Sequence, residues 1–344
     1  MRLLLGLFEL CFILLLAASG REGRDIYGPG ATLRVERVAL DPRDPSRVRV
    51  GALTYLGGLR LRGNQPAFGG FSSMRIEGDR FTLLSDGGNL LRFRMGRDWT
   101  PRDVSFGDLP GGPMTGWNKE QRDSESMAVD PHSGRVWVGF EKYNAIWRYD
   151  ADFSKAEAGA RPAAMADWSS AGGDESMVRL ADGRFVVISE TTRPKRGKGR
   201  EALLFPGDPT ARRAQPLRFV YLPPEGYDPS DAVALPDGRL IVLNRRFALP
   251  GLFTAKLTLI DPRAIRPGVV LGGPELATLA APLIHDNYEA LAVTREGPDT
   301  ILWIASDDNQ QWWEWSLLLK FRIEFGPAST HAKSPPPPGK TGSH

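Results

Sequence analysis

Acidic residues recur along this sequence at intervals of about 50 to 58 positions. Glu125, Glu175, Asp231 and Glu289 each stand just before a short apolar run, and Ser72 holds that place in the first copy. A second polar set follows the next apolar run of each copy: Asp86, Glu141, Glu190, Asn244-Arg245-Arg246 and Asp307-Asp308. Carboxylates gathered in one place repel one another unless a cation sits among them. Hard divalent cations such as calcium take carboxylate, carbonyl and water oxygens as ligands. The candidate metal ligands are therefore Glu125, Glu175, Asp231, Glu289, Asp86 and Asp307, with calcium the expected ion. Arg245 and Arg246 interrupt the acidic series and are candidates to neutralise it or to hold an anion that also touches the metal. The same acids admit a structural explanation, because Asp and Glu at fixed turn positions accept backbone N–H bonds. Asp182 and Asp237, which lie inside D-G turns, belong to that structural class.

The elements that must position these residues are short strands. Each copy has one apolar run, a turn rich in Asp, Gly and Pro, and a second run rich in Val, Ile, Leu, Phe and Trp. Leu180-Ala181-Asp182-Gly183-Arg184-Phe185 and Leu235-Pro236-Asp237-Gly238-Arg239-Leu240 are the clearest cases. Two such runs about a D-G turn read as a β-hairpin. Further strand-like runs follow, so a unit of about 54 residues with four strands reads as a propeller blade. The fold class expected is an all-β propeller of four-stranded blades. Five repeats are visible, which gives five blades, or six if the N-terminal strands form a degenerate one. One of those N-terminal strands is expected to complete the last blade and close the ring. In a hairpin the chain returns to the end it left, so both polar sets should gather on one face of the ring.

The chain of 344 residues has 44 Lys+Arg against 41 Asp+Glu, 38 Gly, 28 Pro, 1 Cys and 4 His. One Cys excludes a disulfide framework and a Cys-rich zinc site. Gly and Pro at this density argue against long helices. No basic stretch interleaved with aromatics appears, so nucleic acid is not an expected partner. Residues 1–20 have a basic start, an apolar centre and a small-residue end, the pattern of a secretory signal peptide; Glu9 interrupts the apolar centre, and an uncleaved anchor is the alternative. Residues 326–344, with four consecutive prolines, read as a disordered tail. The folded body is then residues 31–325, expected to be a monomer without a membrane span once the leader is removed.

That body contains only His132 and His285. No G-x-S-x-G, H-E-x-x-H, P-loop or Rossmann glycine pattern occurs. A carboxylesterase triad would have to pair Ser72 or Ser85 with His285, the better placed histidine, beside Glu289. The run Arg193-Pro194-Lys195-Arg196-Gly197-Lys198-Gly199-Arg200 reads as a solvated loop, or as a lure for a polyanionic substrate. Trp312, Trp313 and Trp315 read as a packed loop, with a ligand platform as the alternative.

Several short stretches, taken in order, carry a family resemblance. They are Phe68-Gly69-Gly70-Phe71-Ser72, Leu84-Ser85-Asp86, Arg122-Asp123-Ser124-Glu125-Ser126-Met127-Ala128, Ile188-Ser189-Glu190 and Pro229-Ser230-Asp231-Ala232. Arg245-Arg246-Phe247, Asp286-Asn287-Tyr288-Glu289-Ala290-Leu291 and Ser306-Asp307-Asp308-Asn309 continue the series. Together they resemble the phytase-like family, described by an esterase-like activity of phytase, over nearly the whole body. The resemblance implies a secreted or periplasmic bacterial β-propeller that hydrolyses phosphate or carboxyl esters, with a small anionic or ester substrate. A non-catalytic propeller that binds a ligand or protein is the alternative. Asn244 departs from the pattern, which leads one to expect a carboxylate before Arg-Arg-Phe; one possible metal ligand is missing there.

Overall fold

The computed structural model describes residues 23–212, 214–249 and 252–325. The proposed signal segment 1–20 and the tail 326–344 lie outside the described residues. Five antiparallel blades stand around a central axis. Blade 1 comprises Phe71–Glu77, Arg80–Ser85, Asn89–Met95 and Pro101–Asp108, from axis to rim. Blade 2 comprises Ser124–Val129, Val136–Phe140, Ala145–Tyr149 and Ala156–Ala160. Blade 3 runs Ser176–Arg179, Phe185–Ile188, Arg200–Phe205 and Leu217–Tyr221, with Val270–Leu271 added in parallel at its rim. Blade 4 runs Asp228–Ala234, Leu240–Ala248, Leu252–Ile260 and Glu275–Leu279. No helix among the described residues is long and apolar enough to cross a membrane.

Blade 5 decides the blade number. Its first three strands, Tyr288–Glu296, Asp299–Ser306 and Leu317–Ile323, come from the end of the body. Its fourth is Leu53–Gly63 from the beginning, paired antiparallel with Leu317–Ile323, and Leu33–Val38 lies outside it. The N-terminal strands thus complete the fifth blade, and no sixth forms among the described residues.

The hairpin turns follow from their residues. Gly183 and Gly238 take positive φ values of 89° and 87°, which favour glycine, and each preceding aspartate accepts the N–H of the arginine that follows. The middle strands are buried on both sides; every residue of Val136–Phe140 is buried. The core is accordingly divided into five apolar clusters, one in each seam between neighbouring blades. Phe185 and Trp137, for example, meet edge to face at 4.8 Å across the seam between blades 2 and 3. Fully burying a side chain such as Phe185 contributes roughly 1.5–3 kcal/mol. These dry seams fix the angle between blades, and so the spacing of whatever the inner strands present at their ends.

Candidate metal centre

Four of the five inner strands begin in the same way. The ladder slips by one residue between Phe71 and Ser73, Ser124 and Ser126, Pro229 and Asp231, and Tyr288 and Ala290. The extra residue is Ser72, Glu125, Ser230 or Glu289; Glu175 immediately precedes the corresponding strand of blade 3. A β-bulge re-aims a side chain out of the alternating pattern. Where the residue is Ser, it ties its blade to the next: Ser72 Oγ donates to Ser124 O at 2.6 Å, and Ser230 Oγ to Tyr288 O at 3.2 Å. Glu125, Glu175 and Glu289 instead turn toward the axis, and each bears electrostatically on other acids of this set.

A second ring lies at the ends of the second strands. Asp86, Glu141, Glu190 and Asp307 each donate a backbone N–H across the hairpin, to the carbonyls of Gly70, Asp123, Gly173 and Asn287. In blade 4 the same register pairs Arg245 with Asp228. Arg245 is thus the positional equivalent of four carboxylates.

The centre is unevenly neutralised. Arg245 ion-pairs with Glu289, reaches Glu190 through Nη2 at 2.6 Å, and donates to Asn287 Oδ1 at 2.6 Å. Burial opposes its charge, but Glu289 and Glu190 outweigh it and hold the guanidinium firmly protonated. Lys119, from the long loop between blades 1 and 2, ion-pairs with Asp86 and feels Asp307. Asp123, Glu125, Glu141 and Glu175, at blades 2 and 3, make no ion pair with any described residue. Yet oxygens of Asp123, Glu125 and Glu141 lie within 4.8 Å of one another, as do oxygens of Glu141, Glu175 and Glu190. At an effective dielectric constant of 20, two unit charges 4 Å apart repel by about 4 kcal/mol. Burial, then the neighbouring acids, push Glu125 and Glu175 well above the usual carboxylate range, and Asp123 to about 8.

Protons relieve this crowding, and so does a cation. Two oxygens on opposite sides of a calcium ion, at about 2.4 Å each, are about 4.8 Å apart. The spacing and the all-oxygen donors of each triplet, Asp123–Glu125–Glu141 and Glu141–Glu175–Glu190, therefore fit a hard divalent ion. Glu141 belongs to both triplets, and its carboxylate is steered by the N–H groups of Gly172 and Gly173. Asp174 stands behind them, fully buried, with neither carboxylate oxygen hydrogen-bonded, its space left open by Gly139, where a Cβ would lie 2.3 Å from Oδ2.

The residues singled out from sequence separate into groups. Glu125 and Glu175 stand in the uncompensated cluster. Glu289 stands against Arg245, and Asp86 against Lys119. Asp307 is buried between Glu289 and Asp86, accepting the N–H of Asn309 at 2.6 Å. Asp231 is not brought to the cluster. One residue past the bulge, it accepts the N–H groups of Ala232 at 2.7 Å and of Leu291, in blade 5, at 2.6 Å. Arg246 is exposed, next to Arg245 on the same strand. His285 Nδ1 is 2.7 Å from Leu283 O, and no serine hydroxyl bonds to this ring among the described residues. Asn244 does not stand in the carboxylate position at all. It is buried beside Tyr221, Thr258 and Val242 on the core side, and Arg245 takes the ring position.

Three acids were outside the candidate ligand set. Glu141 and Glu190 belong to the after-strand series, so their position was visible. Asp123 stands two residues before Glu125, where the other copies have Gly70, Gly173, Asp228 and Asn287, and carries no periodic signal. Lys119 sits in a loop outside the repeat.

A family model described as Phytase-like, esterase-like activity of phytase, matches residues 66–310. The chain belongs to the phytase-like family. The matched segment contains every acid of the centre together with Lys119 and Arg245. Comparison with curated proteins found no match. Among solved structures, Kuenenia stuttgartiensis hydrazine synthase is similar at 12% identity and a TM-score of 0.34, covering 70% of this chain. This phytase-like chain spans a little over half, 57%, of that one. The Malassezia sympodialis allergen Mala s 1 is 12% identical with a TM-score of 0.44, covering 86% of this chain and 95% of its own. A luciferin-regenerating enzyme is 13% identical with a TM-score of 0.42, covering 86% and 98%. These distant likenesses carry no argument about activity.

Proposed function

We propose that this phytase-like propeller is a metal-assisted phosphoester hydrolase working at its acidic face. The observation that carries the reading is the pair of acidic triplets, Asp123–Glu125–Glu141 and Glu141–Glu175–Glu190, in which Asp123, Glu125, Glu141 and Glu175 make no ion pair with a described residue, whereas Glu190, Glu289 and Asp86 nearby do. These four would hold one divalent cation, calcium by the hardness of the donors, with Glu190 at its edge. Bound there, such an ion supplies Lewis acidity toward a phosphoryl oxygen and acidifies a bound water. Arg245 is committed to Glu190, Asn287 and Glu289, so its task is to hold those side chains in place. The cations for the substrate are exposed Arg246 and the rim loop after Glu190, where Arg193, Lys195, Arg196 and Lys198 are exposed. They would draw a small anionic ester toward the centre and set its phosphate against solvent-facing guanidinium and ammonium groups. Export to the periplasm or beyond, from the 1–20 segment, belongs to the same reading.

Hydrolysis of p-nitrophenyl phosphate with calcium and with a chelator tests it. Turnover that depends on the metal is expected; unchanged turnover and unchanged melting temperature after chelation overturn it. A ligand-binding propeller without catalysis is the second reading. It is favoured by the position of His285, the half-buried histidine, whose ring nitrogen is bound to a backbone carbonyl and which touches none of the acids. That reading expects binding at the same face with no turnover in an ester screen. The carboxylesterase reading has no such support, since Ser72 Oγ is spent on Ser124 O and Ser85 Oγ on the N–H of Asn89.

A further inference from the structure

Beside the acidic centre, between the loop of residues 307–316 in blade 5 and the segment 60–68, lies a cavity of about 440 Å³. Its charges are already spent within the protein. Arg60 lies 4.0 Å over the ring of Trp315, and Arg62 pairs with Glu36 at 3.1 Å. Asp308 accepts the N–H groups of Gly70 and Gln310 and the hydroxyl of Ser316. Glu314 accepts from Asn309 and Trp313. Two arginines and two carboxylates leave no net charge in the lining, so neither an anion nor a cation is favoured.

What remains available is the amide groups of two glutamines, the N–H groups of Arg60 and one bare aromatic face. Gln310 and Gln311 each use one amide N–H, on Pro66 O and Asn309 O; the second N–H of each makes no bond, and their carbonyl oxygens accept none, among the described residues. Trp312, also in the lining, is 86% exposed, and Trp313 meets it edge to face at 5.4 Å. Hydrogen bonds of Asp308, Asn309 and Gln310 tie down the loop that presents this indole. Asn309 and Gln310 take positive φ values of 44° and 52°, an arrangement that costs conformational energy and that the hydrogen bonds above maintain. The expectation of a packed tryptophan loop thus gives way, for Trp312, to an exposed ring on a preorganised support. A concave site that combines fixed polar groups with an open aromatic face is built for a ligand.

We propose that this cavity is a subsite for a neutral polyhydroxylated ligand, a saccharide whose hydroxyls bond to the amides of Gln310 and Gln311 while its C–H face lies on Trp312. The proposal does not depend on the metal reading, since no acid of the uncompensated cluster lines the cavity. The test is isothermal titration of the purified protein with cellobiose, maltose and N,N′-diacetylchitobiose, with and without a chelator. At least one disaccharide is expected to bind, equally well in both conditions. Trp312→Ala should weaken it by about tenfold or more, and Trp312→Phe by less, with melting temperatures unchanged. Three results overturn the proposal: no binding by any of the three, binding undiminished in Trp312→Ala, or a site filled instead by inorganic phosphate or tetramethylammonium. Binding that disappears with the chelator assigns the sugar to the metal centre and likewise overturns it.

Discussion

Arg245 of blade 4 occupies the ring position that Glu141 occupies in blade 2, opposite the residue that lies two before the extra residue of the inner strand. The fold thus places a fixed cation in one blade and, two blades away, leaves a cluster of acids without an ion pair. The ring is a scaffold of equivalent sites, and its chemistry comes from their inequality.

Removing the fixed cation should be costly. Arg245→Ala leaves Glu190 and Glu289 facing each other with their partner gone. Breaking one member of a largely buried pair typically costs about 3–5 kcal/mol, which for a domain of this size is a fall of roughly 10 °C in melting temperature. Adding Glu289→Gln should recover part of the loss in a double-mutant cycle, read by thermal melting.

Calcium should stabilise the folded chain. A ligand at about 100 times its dissociation constant contributes about 2.7 kcal/mol, seen as a rise in melting temperature on titration. Glu141→Gln, which alters the one residue shared by both acidic triplets, should abolish that rise. A calcium response retained in this variant places the ion elsewhere.

Asp231→Ala should lose stability without losing the metal. It strands the N–H groups of Ala232 and Leu291 in a buried setting, at a cost of about 1–3 kcal/mol. Denaturant unfolding measures that cost, and the calcium titration should match the unaltered protein once corrected for it.

Acid should loosen the closure of the ring. Glu324 binds Thr54, Arg49 and Arg322, and these bonds hold its carboxyl down at about 2, against an ordinary value of 4.5. A depressed folded-state value means the stabilisation is complete above about pH 4.5 and vanishes as pH falls toward 2. Glu324→Gln should therefore melt below the unaltered protein at pH 7, with the gap closing through that interval. A gap that stays constant with pH refutes the assignment.

The propeller was legible because its signals are local and repeated. D-G turns set the hairpins, apolar runs fill the seams, and acids at a constant offset mark one face. Asp231 was misplaced in the series because the bulge in blade 4 falls on Ser230, and a shift of one residue in a strand sends a side chain to the other side. Asn244 was measured against the wrong equivalents for the same reason. Lys119 and Asp123 were not legible, since neither repeats: one reaches in from a loop, and the other takes a position that is glycine in two blades.

The clasp in blade 5 gives the molecule a direction in time. Arg49 and Glu324 meet at 2.6 Å although 275 residues separate them. During synthesis the strand Leu53–Gly63 emerges before the four other blades and its partner Leu317–Ile323 after them. Until then the growing ring is an open arc with an unpaired β-edge, the state in which strands add to the wrong neighbour. Four blades can exist before the fifth, but the circle exists only when the chain's beginning is returned to its end. Loss of a short piece from either terminus of the body would undo more of the molecule than a cut in any loop between blades.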